Sequence, residues 1–166
     1  MSDEIAVGYL LSLAEISGVF IGFGALIGAI QSREERDTRK MANVAGVCAI
    51  GIVTLLACLF PLLLFGLEFE NLWFYSSLVF LAMIIIAFGL AYSNHAFTHH
   101  NPVRFKENLV VALVFWVLFE IPIQVGLLCN IFGFFPEHSA GLYFIAVIFN
   151  FAESGLFLIL MVFDGN

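Results

Sequence analysis

The sequence predicts an all-α membrane protein: one domain formed by a bundle of five transmembrane helices, N-terminus outside and C-terminus in the cytoplasm. Three observations carry this reading. The chain of 166 residues is 62% hydrophobic and 11% charged, against roughly 45–50% and about 25% in a soluble domain. Five apolar stretches each approach or exceed the roughly 20 residues that a spanning helix needs. All six Lys and Arg residues fall in two of the connections between those stretches. A soluble fold of this length needs far more polar surface, so the excess apolar area must meet lipid.

The first span is expected at about 5–30. Met1-Ser2-Asp3-Glu4 is acidic and lacks the basic n-region of a signal peptide, so this run is expected to be retained as a helix. It carries small residues on two sides. Gly8, Ser12, Glu15, Gly18, Gly22, Ala25 and Ala29 follow one face, and Ser17, Gly24 and Gly28 follow another. Gly18/Gly22 and Gly24/Gly28 are both G-x-x-x-G pairs, which let helix backbones approach closely in lipid. A helix that is small on two sides is expected to be packed on two sides, which would make it central.

The connection at 31–41 contains Arg33-Glu34-Glu35-Arg36-Asp37-Thr38-Arg39-Lys40. Its mixed signs at helical spacing read as a solvated helix extension. Three acids among four bases exclude a nucleic-acid role. Further spans are expected at 42–67, 72–97, 109–135 and 140–163, joined through 68–71, 98–108 and 136–139. Basic residues mark the cytoplasmic connections. Arg33, Arg36, Arg39 and Lys40 follow the first span, and Arg104 and Lys106 follow the third. The opposite side carries Asp3, Glu4, Glu68, Glu70 and Glu137 and no base. Cys48, Cys58 and Cys129 all lie inside apolar runs, where they read as small buried hydrophobes rather than a disulfide or metal set.

Chemistry is expected where ionisable groups are costly. At a rise of 1.5 Å per residue, Glu15, Glu120 and Glu153 each lie about 15–20 Å from an end of their span. In a hydrocarbon core near 30 Å this places all three close to the midplane. An unpaired charge there costs at least about 2.5–3.5 kcal/mol, so the three are expected to face the protein interior or a wet cavity. The fifth span adds Ser139, Tyr143, Asn150 and Ser154 on the face of Glu153, and the fourth adds Trp116 and Gln124 on that of Glu120. Pro122 has no N–H, which frees a carbonyl one turn back. Glu15, Glu120, Glu153, Asn150, Gln124, Ser154 and Tyr143 are therefore the candidate lining of an ion path.

His95, His99 and His100 cluster at the end of the third span and are candidates for pH sensing or metal binding. Their H-x-x-x-H-H spacing resembles one histidine box of the membrane fatty-acid desaturase and hydroxylase family. That family uses three such boxes, and the one other histidine here is His138, so a di-iron centre is not completed within the chain.

No G-x-x-x-x-G-K-[ST], H-E-x-x-H or nucleophile-elbow motif occurs, so neither enzymatic activity nor a cofactor is expected. The reading is a homo-oligomer in the cell (cytoplasmic) membrane that conducts protons or another cation past intramembrane glutamates. Its partners are then the lipid bilayer, further copies of itself and the ion. Two alternatives are a proton-coupled transporter of a small solute and a non-catalytic membrane subunit of a larger complex.

Overall fold

The computed structural model describes residues 2–31, 38–93 and 109–163, and all regular structure among them is helical. Among these residues five helices are long and apolar enough to cross a membrane. They are α1 (Asp3–Gln31), α2 (Thr38–Gly66), α3 (Leu72–Ser93), α4 and α5 (Ser139–Phe163). Helix α4 is composite: α-helical over Leu109–Leu113, π-helical over Val114–Glu120, and α-helical again over Ile121–Ile131. Large apolar side chains such as Ile85, Ile86, Phe132 and Phe134 stand exposed around the bundle. Exposure on that scale is tolerated where the surroundings are hydrocarbon rather than water.

The turns at one end of the bundle are closed by backbone bonds. Helix α4 stops at Ile131, four residues earlier than the expected 135, because Gly133 takes φ +66°. There the Gly133 N–H donates to the Asn130 carbonyl and the Phe134 N–H to the Cys129 carbonyl, at 3.2 and 3.0 Å. This is the Schellman pattern that ends a helix on a left-handed residue. Helix α2 ends the same way. The Glu68 N–H donates to Phe65 at 3.1 Å and the Phe69 N–H to Leu64 at 3.0 Å, with Glu68 at φ 52°. A Cβ in that conformation costs about 1–2 kcal/mol. Glu68→Gly is therefore expected to stabilise the protein by about 1 kcal/mol, the relief being partly offset by a freer unfolded chain. Thermal unfolding in detergent measures it, and an unchanged or lower midpoint contradicts the assignment.

The same end is tied across helices. The Trp73 indole N–H donates to the Asp3 carboxylate at 2.8 Å, joining the starts of α1 and α3. The buried Asn130 amide donates to Ser77 Oγ at 3.1 Å and to the Ser139 carbonyl at 2.9 Å, joining α3, α4 and α5.

Helices α2 and α5 form the centre. Helix α2 packs on α1, α3 and α5, and α5 packs on all four others. In the most apolar stretch of α1 22% of residues are buried, against 39% for both α2 and α5. Helix α1 is thus peripheral, contrary to the expectation that it is central. Only one of its small faces is packed. A Cβ on Gly24 would lie 2.9 Å from Val47 Cγ1, and one on Gly28 would lie 2.7 Å from Val44 Cγ1, both in α2. At Gly8, Gly18 and Gly22 a Cβ would meet nothing within 4 Å. Helices α4 and α5 also cross closely, with Gly126 facing the Leu142 carbonyl.

Apolar packing divides into two clusters. The larger fills the half nearer the closed turns and includes Leu10, Phe80, Leu127 and Tyr143; the smaller, around Val47, Phe115 and Phe157, fills the other half. Between them lies a layer of buried polar side chains.

A candidate carboxyl-pair site between the two apolar clusters

That layer contains Glu120 and Glu153, which are 4% and 1% exposed. The π-helical stretch explains how α4 delivers its carboxyl there. With about 3.6 residues per turn, positions five apart on an α-helix are rotated by about 140°. The i→i+5 bonding of a π-helix brings such positions back to one side, and the Ile121 N–H indeed donates to the Trp116 carbonyl. Phe115 and Glu120 can therefore be buried together. Pro122, just beyond, has no N–H to restore α-type bonding.

Each carboxyl has one amide partner on its own helix. Gln124 Nε2 donates to Glu120 Oε2 at 3.2 Å, and Asn150 Nδ2 donates to Glu153 Oε2 at 3.2 Å. The Asn150 carbonyl oxygen lies 3.4 Å from Thr54 Oγ1 on α2, whose hydroxyl also reaches the Ile50 carbonyl at 2.9 Å. Glu153 Oε1 is buried and has no hydrogen-bond partner among the described residues. No Lys or Arg occurs in 41–93 or 109–163, and the one histidine there, His138, is exposed in the turn before α5. Among the described side chains no Lys or Arg lies beside the two carboxyls.

Both carboxyls line one cavity of about 460 Å³. Its walls are apolar, formed by α2 and α3 together with the rings of Phe88, Phe115 and Phe157. It opens sideways between α2 and α3, where Ile52, Leu56, Ile86 and Leu90 are exposed. A second cavity, of about 740 Å³, runs along α3 and α4 and also ends on Glu120. Trp116, Glu120 and Gln124 line it together, as their four-residue spacing predicts.

The seven expected path residues do not form one track. Glu120, Glu153 and Asn150 share the first cavity, with Gln124 beside Glu120. Tyr143 and Ser154 are buried on the same side of α5, but their hydroxyls tie α5 to α2 by donating to Ala57 and Val47 carbonyls, at 2.7 and 3.3 Å. Glu15 stands apart: it is exposed on the outer side of α1 and lines neither cavity. It does not face the interior of this chain, because α1 turns Ala14 and Ser17 inward and Glu15, between them, points away. His95, His99 and His100 lie outside the described residues. Among the described residues no set of three His, Cys, Asp or Glu side chains could hold a metal.

Sequence reasoning misses Thr54 and the three rings. Thr54 has a signal, being the one hydroxyl-bearing residue in 42–67. Phe88, Phe115 and Phe157 have none, since 20 Phe residues offer no way to pick three. No protein-family model, no curated protein and no solved structure matches this chain.

Proposed function

We propose that the protein is an integral membrane transporter of protons or another cation, with Glu120 and Glu153 as its central binding pair and Asn150 and Gln124 as their positioning partners. The observation that carries this reading is the burial, at mid-helix and on one cavity, of two carboxyls that have no basic partner among the described residues and one oxygen unserved there. Such groups are costly in hydrocarbon and are characteristic of ion or proton paths. The apolar clusters on either side favour a carrier, in which the site is reached from one side at a time, over an open pore. The proposed orientation has the N-terminus outside, so that the sequence segments carrying the six Lys and Arg residues lie on the cytoplasmic side of a cell membrane.

Homo-oligomerisation is part of the proposal. Glu15 sits near the middle of α1 on an open small-residue face, and a second copy covering that face removes a carboxyl from lipid. Native mass measurement from lipid nanodiscs is expected to give more than one chain per particle; monomers alone would end this part of the reading.

Proteoliposomes loaded with a pH dye test the transport step. Proton flux above that of protein-free vesicles is expected, either alone or with a cation gradient, and it is expected to saturate as the driving ion is raised. Flux that rises linearly without limit points to a pore instead. Flux indistinguishable from empty vesicles removes the transport reading and leaves the accessory-subunit one.

A further inference from the structure

We propose that the cavity ending on Glu120 and Glu153 binds a hydrophobic organic cation, an alkyl- or aryl-substituted ammonium or phosphonium, that enters sideways from the bilayer between α2 and α3. This rests on the reading of the carboxyl pair as the cation site, and it names the class of cation.

Four features of the site converge on that class. The first is charge. Two carboxyls face one space with no Lys or Arg in 41–93 or 109–163, and Glu153 Oε1 has no partner among the described residues. The second is shape and chemistry. A space of about 460 Å³ matches the roughly 300–1,000 Å³ of small-molecule sites, whose walls are mostly apolar with a few polar groups at fixed points. The third is the ring wall. Phe115 contacts Phe88 and Phe157 edge to face, with centroids 6.2 and 5.9 Å apart. Aromatic faces attract cations that shed their hydration easily.

The fourth is the entrance. The mouth lies between α2 and α3 on the flank of the bundle, along exposed Ala49, Ile52, Leu56 and Ile86. A hydrated inorganic ion approaching there would have to cross hydrocarbon, whereas a hydrophobic cation already partitions into it. The donor set also disfavours a hard metal ion. Calcium takes six to eight oxygen ligands, and the cavity offers two carboxyls and an amide already engaged in hydrogen bonds.

The test uses the full chain in lipid nanodiscs with radiolabelled tetraphenylphosphonium as the probe. Saturable binding is expected, weakened about tenfold or more by Glu153→Gln, since loss of one member of a buried charge pair has at least that effect. Ala49→Phe is a second variant. Ala49 is exposed at the cavity wall, so the ring narrows the space without entering the core, and the same loss is expected while both carboxyls remain. Tetramethylammonium, equally charged but small and hydrophilic, is expected not to compete at equal concentration. Binding no greater than to empty nanodiscs, or binding that neither variant changes, overturns the proposal. Proton flux measured on the same preparations separates the two levels. Glu153-dependent flux without probe binding removes this inference and leaves the transport reading, whereas loss of both removes both.

Discussion

Replacing Glu153 by Gln is expected to reduce proton or cation flux in proteoliposomes at least about a hundredfold, the factor that corresponds to the roughly 2.5–3.5 kcal/mol needed to hold a charge at the bilayer centre without a countercharge, with the helix bundle intact. Gln keeps the shape of Glu and can still accept the Asn150 amide at its oxygen, so the 3.2 Å contact survives. It also removes the need to hold an ionisable group where no base compensates it. Stability is therefore expected to be unchanged or slightly higher while transport is lost, and that combination separates a functional carboxyl from a structural one. Glu120→Gln is expected to act in the same direction, because Glu120 lines both cavities. Glu15→Gln provides the contrast. Its side chain lies on the far side of α1, so flux per assembled particle is expected to change less than about threefold, the range of substitutions remote from a site. Equal flux in wild type and Glu153→Gln, with both proteins folded and reconstituted to the same density, would falsify the central role of the pair.

Much of this is legible in the sequence, and what is not shares a physical cause. The five spans are announced by hydropathy, but the end of α4 at Ile131 is not, because the apolar run continues through Phe135 and hides the turn at Gly133. Depth along a helix also reads well: counting residues from the span ends puts Glu120 and Glu153 in one layer, and the structure places them on one cavity. Direction around a helix reads poorly. In a soluble helix apolar residues point inward, but in a membrane helix both sides are apolar, so periodicity loses its sign. That is why the two small faces of α1 are indistinguishable in sequence, and why depth alone groups Glu15 with carboxyls it does not meet. The π-helical stretch is likewise hidden. Pro122 signals a local disturbance, but nothing in Val114–Glu120 specifies that the chain should widen its turn and rotate Glu120 toward Phe115. Thr54 escapes notice for a simpler reason: its polar partner, Asn150, is 96 residues away.

The two glycine pairs of α1 offer a direct reading of what each face does, and they are expected to respond in opposite ways. Gly24 and Gly28 touch α2 so closely that an added Cβ would stand 2.9 and 2.7 Å from Val47 and Val44. Leu at either position must push the helices apart. Overpacking of this kind costs about 1–3 kcal/mol, so Gly24→Leu and Gly28→Leu are expected to lower the thermal midpoint in detergent and to loosen α1 from the bundle. Around Gly18 and Gly22 an added Cβ would find no neighbour within 4 Å. Within one chain Leu there meets only open space and gains helix propensity of about 1 kcal/mol, so the fold is expected to be at least as stable as before. Between chains the effect is opposite. If a second copy seats its backbone against Gly18 and Gly22, close approach is lost, and Gly18→Leu and Gly22→Leu are expected to convert oligomers to monomers in native mass spectra. Glu15 would then be left facing lipid. A Gly18→Leu protein that keeps its full oligomeric mass would show that copies meet elsewhere, and one that unfolds would show that this face is packed within the chain after all.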